Sequence, residues 1–158
     1  MNLETRNRIL TIVLGVAIIF LGYYLYRSIV DPYQVVLEQE EMEERVKHRL
    51  TLVRDALIQY RNSEGTFPPT EGGLDSLIAF LKTDPRMVEE GATLFQERPP
   101  STYTPDSLKY SPAPPHNTLE YTLNDTLRPQ IYLLEDPETG YRIGDMEMTT
   151  MLNAPNWN

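Results

Sequence analysis

Apolar positions change their spacing as the chain proceeds. The stretch Ile9–Tyr26 is nearly all apolar and carries no charge, the next charge being Arg27. As a helix rising about 1.5 Å per residue it would reach about 27 Å, close to the thickness of a bilayer's hydrocarbon core. It predicts a membrane span over residues 9–30, after a short N-terminus of residues 1–8. Farther on, Met42, Val46, Leu50, Val53, Leu57 and Tyr60 recur in steps of 4, 4, 3, 4 and 3, one narrow helical face. Leu52 and Ile58 widen it. Asp31-Pro32 reads as a start signal, an N-cap acceptor before a proline at the first helical position. The spacing therefore predicts a helical extension over 32–62. Gly65 follows it, free to adopt a positive φ.

The next elements are shorter. Thr66-Phe67-Pro68-Pro69 reads as extended, because a residue before proline avoids the α region. Leu74, Leu77, Ile78 and Leu81 predict a second helix over 70–82, with Thr70 or Asp75 near its start. Asp84-Pro85 is expected to open one further turn through Met87 and Val88. Residues 99–115 hold six prolines and read as a long irregular connection wrapped on the domain, with short extended pieces such as Leu108-Lys109-Tyr110. A proline-rich ligand for another module is the alternative.

The period then falls from 3.6 to 2. Leu119, Tyr121 and Leu123 alternate with polar neighbours, which predicts a strand. Asn124-Asp125-Thr126 is a turn. Residues 130–134 form a second strand, apolar on both faces as a middle strand would be. Asp136-Pro137-Glu138-Thr139-Gly140 is a second turn, and residues 141–144 a third strand. Short loops make 118–145 an antiparallel meander. Trp157 is the expected anchor of the aperiodic tail after Met146. The class is α+β, a long N-terminal helix whose outer stripe covers a small antiparallel sheet.

Composition narrows the partners. The net charge is −9, and no basic face is visible, which argues against nucleic acid. The chain has no cysteine, so disulfides, thiolate zinc sites and cysteine nucleophiles are excluded. The apolar run is longer than a signal-peptide core and is followed by Tyr26-Arg27 rather than a small-residue cleavage site. It reads as a retained anchor. Arg6 and Arg8 precede it against Arg27 behind, which places the N-terminus in the cytoplasm and exports residues 31–158. The location implied is a single pass through the inner (cytoplasmic) membrane, with the C-terminal domain periplasmic or extracellular. The acidic run Glu38–Glu44 reads as a solvated helix face near the helix start.

Three segments together resemble the type IV pilin and pseudopilin family, closest to the major pseudopilin of type II secretion. One is the apolar helix running into an amphipathic one, with Pro32-Tyr33-Gln34 just beyond the apolar run. Another is Leu57–Pro68, in which a helix ends in an aromatic and passes through Asn, Gly, an aromatic and Pro. The last is Pro69-Thr70-Glu71-Gly72-Gly73-Leu74-Asp75-Ser76-Leu77. The resemblance covers Ile9–Leu81. It implies a pilin-like fold and a structural role in a pilus or secretion assembly, with other subunits contacted through the N-terminal helix. The chain departs from the family at its start. No Gly precedes Gly15, and no acidic residue lies inside the run, where the family has a cleavage site and a buried Glu.

The resemblance also implies a calcium site in the acidic loops after the sheet. Asp136, Glu138, Asp145 and Glu147 are the candidate ligands, oxygen donors suited to a hard cation. No nucleophile, zinc or phosphate-loop motif is present, and His48 and His116 have no second ligand at helical spacing. The expected function is therefore non-catalytic: a membrane-anchored structural subunit, or else a stationary accessory subunit using its exported domain as a binding module.

Overall fold

The computed structural model describes residues 3–157, and the chain divides after Glu41 into two units. Helix α1 spans Leu3–Glu64. Asp31 is thus not a helix start: the helical backbone continues through Asp31 and Pro32, whose side chains lie outside the described residues, as do Met1, Asn2 and Asn158. A proline inside a helix removes one donor, here the one that would face the Ser28 carbonyl, without forcing the chain to begin a new helix. The helix ends where the pattern predicts. Gly65 takes φ 80° and its N–H bonds the Arg61 carbonyl at 2.8 Å, a left-handed cap that suits glycine.

In the second unit, α2 (Gly73–Thr83) and α3 (Pro85–Leu94) follow. Thr70 does not cap α2. Gly72 does so with φ 67°, and Thr70 is recruited by the sheet instead: its hydroxyl accepts from Leu123 N–H at 3.0 Å and donates to Leu123 O at 3.3 Å. Asp84 caps α3, accepting from Arg86 and Met87 N–H at 3.0 Å each. With Pro85 at its start and Met87 buried beneath, α3 extends beyond the single turn expected, through Glu89, Glu90 and Gly91 to Leu94. Glycine at 91 suits close packing: a Cβ there would sit 3.0 Å from the Tyr103 hydroxyl.

Residues 105–109 form a 3-10 helix, η1 (Pro105–Lys109), so Leu108-Lys109 is not extended; only Tyr110 pairs, by a bridge to Thr118. Leu108 is fully buried, and burying that side chain favours a turn over a surface strand. Ion pairs from Lys82 to Asp106 (2.7 Å) and Lys109 to Asp75 (2.8 Å) fasten this segment to α2.

The sheet has the expected topology. Strands β1 (Glu120–Asn124), β2 (Ile131–Glu135) and β3 (Arg142–Gly144) are antiparallel, with β2 in the middle. In the first turn Asn124 Oδ1 accepts from Thr126 N–H. In the second, Asp136 Oδ2 accepts from Thr139, and Gly140 takes φ 70°. Both edges are occupied. Leu119 N–H bonds the Lys109 carbonyl and Leu123 is held by Thr70 along β1. Along β3, Gly144 N–H bonds Ala154 O and Asn156 N–H bonds Arg142 O, each at 3.0 Å. The tail therefore adds a short strand-like run, and Trp157 packs edge-on against Tyr141, ring centroids 5.5 Å apart.

One hydrophobic core unites these parts. Val46, Leu50, Val53 and Leu57 are fully buried in the same cluster as Tyr132, Leu134 and Ile143, with Met42 and Tyr60 packed at its margin. The stripe read from the sequence is thus the cover of the sheet. Phe67 links the helix end to the strands through an edge contact with Tyr132 at 4.9 Å, and the Tyr121 hydroxyl donates to Pro68 O at 2.9 Å.

Burial raises the pKa of Tyr121 and of Tyr132 well above the free phenol value, with smaller charge effects from Tyr132 and Tyr60 on the first and from Arg54 and Asp55 on the second. In the unfolded chain these phenols ionise at about pH 10. Stability supplied by their burial is therefore complete below that value and falls as pH rises toward the raised folded values. A series of urea midpoints from pH 8 to pH 11 is expected to drop in its alkaline part, and Tyr132→Phe to flatten that drop.

Candidate membrane interface

The feature most at odds with a water-soluble surface is the first part of α1. It is the one helix among the described residues long and apolar enough to cross a membrane, by length and composition. An 18-residue window has mean hydropathy 2.3 and none of it is buried. Phe20 and Tyr24 are about 70% exposed (71% and 70%), and Ile19 74%. A contiguous apolar surface of this kind marks contact with lipid or protein, because water penalises it at about 25 cal/mol per Å². The apolar character persists past Arg27: Ile29, Tyr33, Val35 and Val36 are also exposed. A Cβ on Gly15 or Gly22 would meet nothing within 4 Å, so both glycines leave backbone open on this surface.

The four carboxylates expected to hold calcium are not gathered. Asp136 is buried and turned into its own hairpin, its Oδ2 taken by Thr139 N–H and Oγ1. Glu138 is exposed and accepts from Asn117 at 2.5 Å. Asp145 accepts N–H groups of Met148 and Glu147, and these bonds hold its carboxyl below the usual range. Glu147 is exposed. The cause is topological. Asp136 and Glu138 stand in the turn before β3 and Asp145 and Glu147 follow β3, so a strand of about 10 Å separates the pairs. Among the described residues no three His, Asp or Glu side chains group so as to hold a metal. The two histidines lie on separate elements, His48 bonding Gln96 O (2.8 Å) and His116 bonding Ser111 O (3.0 Å).

Sequence reasoning missed a buried charge pair. Arg49 and Glu97 are 6% and 5% exposed at their side chains and approach to 2.9 Å, with the Nε–H not aimed along the line between them. Nη1 of Arg49 donates to the carbonyls of Ser107 and Tyr110. The signal was present in a weak form: Arg49 sits three residues after Val46 and four before Val53, on the shoulder of the apolar stripe. Glu97, in an irregular segment, gave none. Tyr141 likewise reaches back to α1, its hydroxyl donating to Glu43 at 2.6 Å, a bond that raises its pKa.

Compared with protein-family models, curated proteins and solved structures, the chain finds no match.

Proposed function

We propose that this chain is a non-catalytic, single-pass structural subunit of a pilus or type II secretion-like assembly, pilin-like in fold. The observation that carries the reading is the makeup of α1. Its uncharged, fully exposed run precedes, in the same helix, the turns that supply the core stripe of an α+β domain. An anchor continuous with a folding element suits a part that is held in a membrane and packs against neighbouring helices. The basic residues Arg6 and Arg8 favour a cytoplasmic N-terminus, with the folded domain on the periplasmic or extracellular side.

A second reading is supported by the start of the chain. Glu4-Thr5-Arg6-Asn7-Arg8 leads into a run without acidic residues, unlike the pattern of the family it resembles. That favours a stationary accessory subunit, fixed in the membrane in one-to-one ratio with a larger partner. Purification of the full chain from membranes separates the two. Co-purification with an assembly ATPase and platform protein, or filaments in negative stain, supports the first reading; a one-to-one complex without either overturns it in favour of the second.

Membrane insertion itself has a simpler check. Ile19→Arg places a charge near the middle of the apolar run, which costs about 2.5–3.5 kcal/mol on insertion scales. The variant is expected to lose most of its carbonate-resistant membrane fraction. A variant that fractionates like the native chain would remove the anchor from the proposal.

A further inference from the structure

Half of the chain's six methionines, Met146, Met148 and Met151, stand close together just beyond β3. The methionines of the core lie elsewhere: Met87 is buried and Met42 packs at the margin of the cluster. These three are outside that cluster, Met148 53% and Met151 40% exposed and Met146 half-buried. A single exposed apolar side chain needs no explanation. Three thioethers on one short loop, none of them in the core, have no packing role to account for them.

The main chain gathers them. Asp145 Oδ1 accepts from the N–H groups of Glu147 and Met148 at 2.7 and 2.8 Å, which folds residues 145–148 into a tight bend. A 3-10 turn, η2 (Thr149–Met151), follows, closed by Met151 N–H on the Met148 carbonyl at 3.0 Å. The first and last residues of such a turn have Cα atoms under about 7 Å apart. Met146, two residues from Met148, is within about 7 Å of it even where the chain is extended. The loop is pinned on both sides: Asn124 donates to Met146 O and Ala154 N–H to Met151 O, each at 3.0 Å. The methionines make these bonds with main-chain atoms, so their sulfurs keep their lone pairs. Each sulfur sits on a side chain with three rotatable bonds, free to turn toward a common point.

The donors name the ligand. Thioether sulfur is soft and uncharged, and among the biological metals it suits Cu(I). Hard Ca²⁺ and Mg²⁺ take oxygen ligands, and the carboxylate in the bend, Asp145, is already occupied by main-chain N–H. The chain has no cysteine, so methionine is its only sulfur ligand. Glu147, between the first two thioethers, adds a negative charge beside a cation held there.

We propose that the loop over residues 146–151 binds a soft monovalent metal ion, Cu(I), through the sulfurs of Met146, Met148 and Met151. The site lies outside α1, so it stands or falls apart from the assembly role.

The test titrates the full-length protein, in detergent micelles and chloride-free buffer, with Ag(I), a redox-inert soft ion, and with Cu(I) kept reduced by ascorbate. Calorimetry gives the affinity, and NMR of methionine labelled at the methyl carbon locates the ion. One ion per chain is expected, with the methyl signals of Met146, Met148 and Met151 shifting and those of Met42 and Met87 staying. Met148→Leu and Met151→Leu conserve volume, so both are expected to melt like the native chain and to bind Ag(I) about tenfold more weakly. Thioethers do not titrate, so affinity is expected to stay level from about pH 7 to about pH 5, where a histidine site would weaken as its imidazole protonates. No binding of either ion, shifts confined to other methionines, affinity lost in acid, or leucine variants that bind as the native chain does would overturn the proposal. Where a variant melts early, the methyl shifts of the native chain decide.

Discussion

Gly144→Ala is expected to prevent the sheet from forming. A Cβ at this position would lie 2.0 Å from the backbone oxygen of Tyr132 and 3.2 Å from that of Leu152. Both obstacles are main chain, so no side-chain rotation relieves them. The residue also has φ 92°, outside the regions open to alanine without strain. Moving β3 away would break its pairing of Gly144 opposite Leu133, and with it the bond from Gly144 N–H to Ala154 that holds the tail. The combination exceeds the cost of a single strained backbone residue, about 1–3 kcal/mol, and a small domain has about 5–15 kcal/mol in all. Circular dichroism melts of the full chain in detergent are expected to show the domain unfolded or its transition lowered by tens of degrees, with the N-terminal helix retained. A melt unchanged from native would mean that β3 and the tail are not arranged as described.

Removing one member of the Arg49–Glu97 pair is expected to have the next largest effect. Glu97→Ala leaves a guanidinium that is 6% exposed with two carbonyl acceptors and no counter-charge. Stripping one partner from a buried pair costs about 3–5 kcal/mol, whereas replacing both by apolar residues of similar volume is often neutral or better. Arg49→Met with Glu97→Leu should therefore recover much of what Glu97→Ala loses, apart from the bonds to Ser107 and Tyr110. Urea unfolding of Arg49→Met, of Glu97→Leu and of the two combined measures this as a cycle. Additive single effects would show that the two side chains act separately.

The sequence carried the helix and the meander well because each has a strict period. The stripe from Met42 to Tyr60 repeats at helical spacing, and residues 119–123 alternate, so each periodicity names its own buried face. Turns were legible for a local reason: Asn124, Asp136 and Gly140 do their work within a few residues of themselves. What failed depended on distant partners. Thr70 resembles a helix cap until a strand offers it the Leu123 main chain, 53 residues away. The extent of α3 depends on burial of Met87 and Gly91, which no short pattern announces. The four acidic residues proposed for calcium are near in sequence, but a short strand holds them apart.

The tail pairing on β3 and the Thr70 clasp on β1 have a consequence for how copies of this chain can associate. An open margin of a sheet invites a foreign strand to zip on through its main chain. Here each margin already has a resident from the same molecule, so recruitment there must first evict it. Multimers of the folded protein are thereby steered toward contacts between side chains, on helices and loops, and away from endless β-stacking.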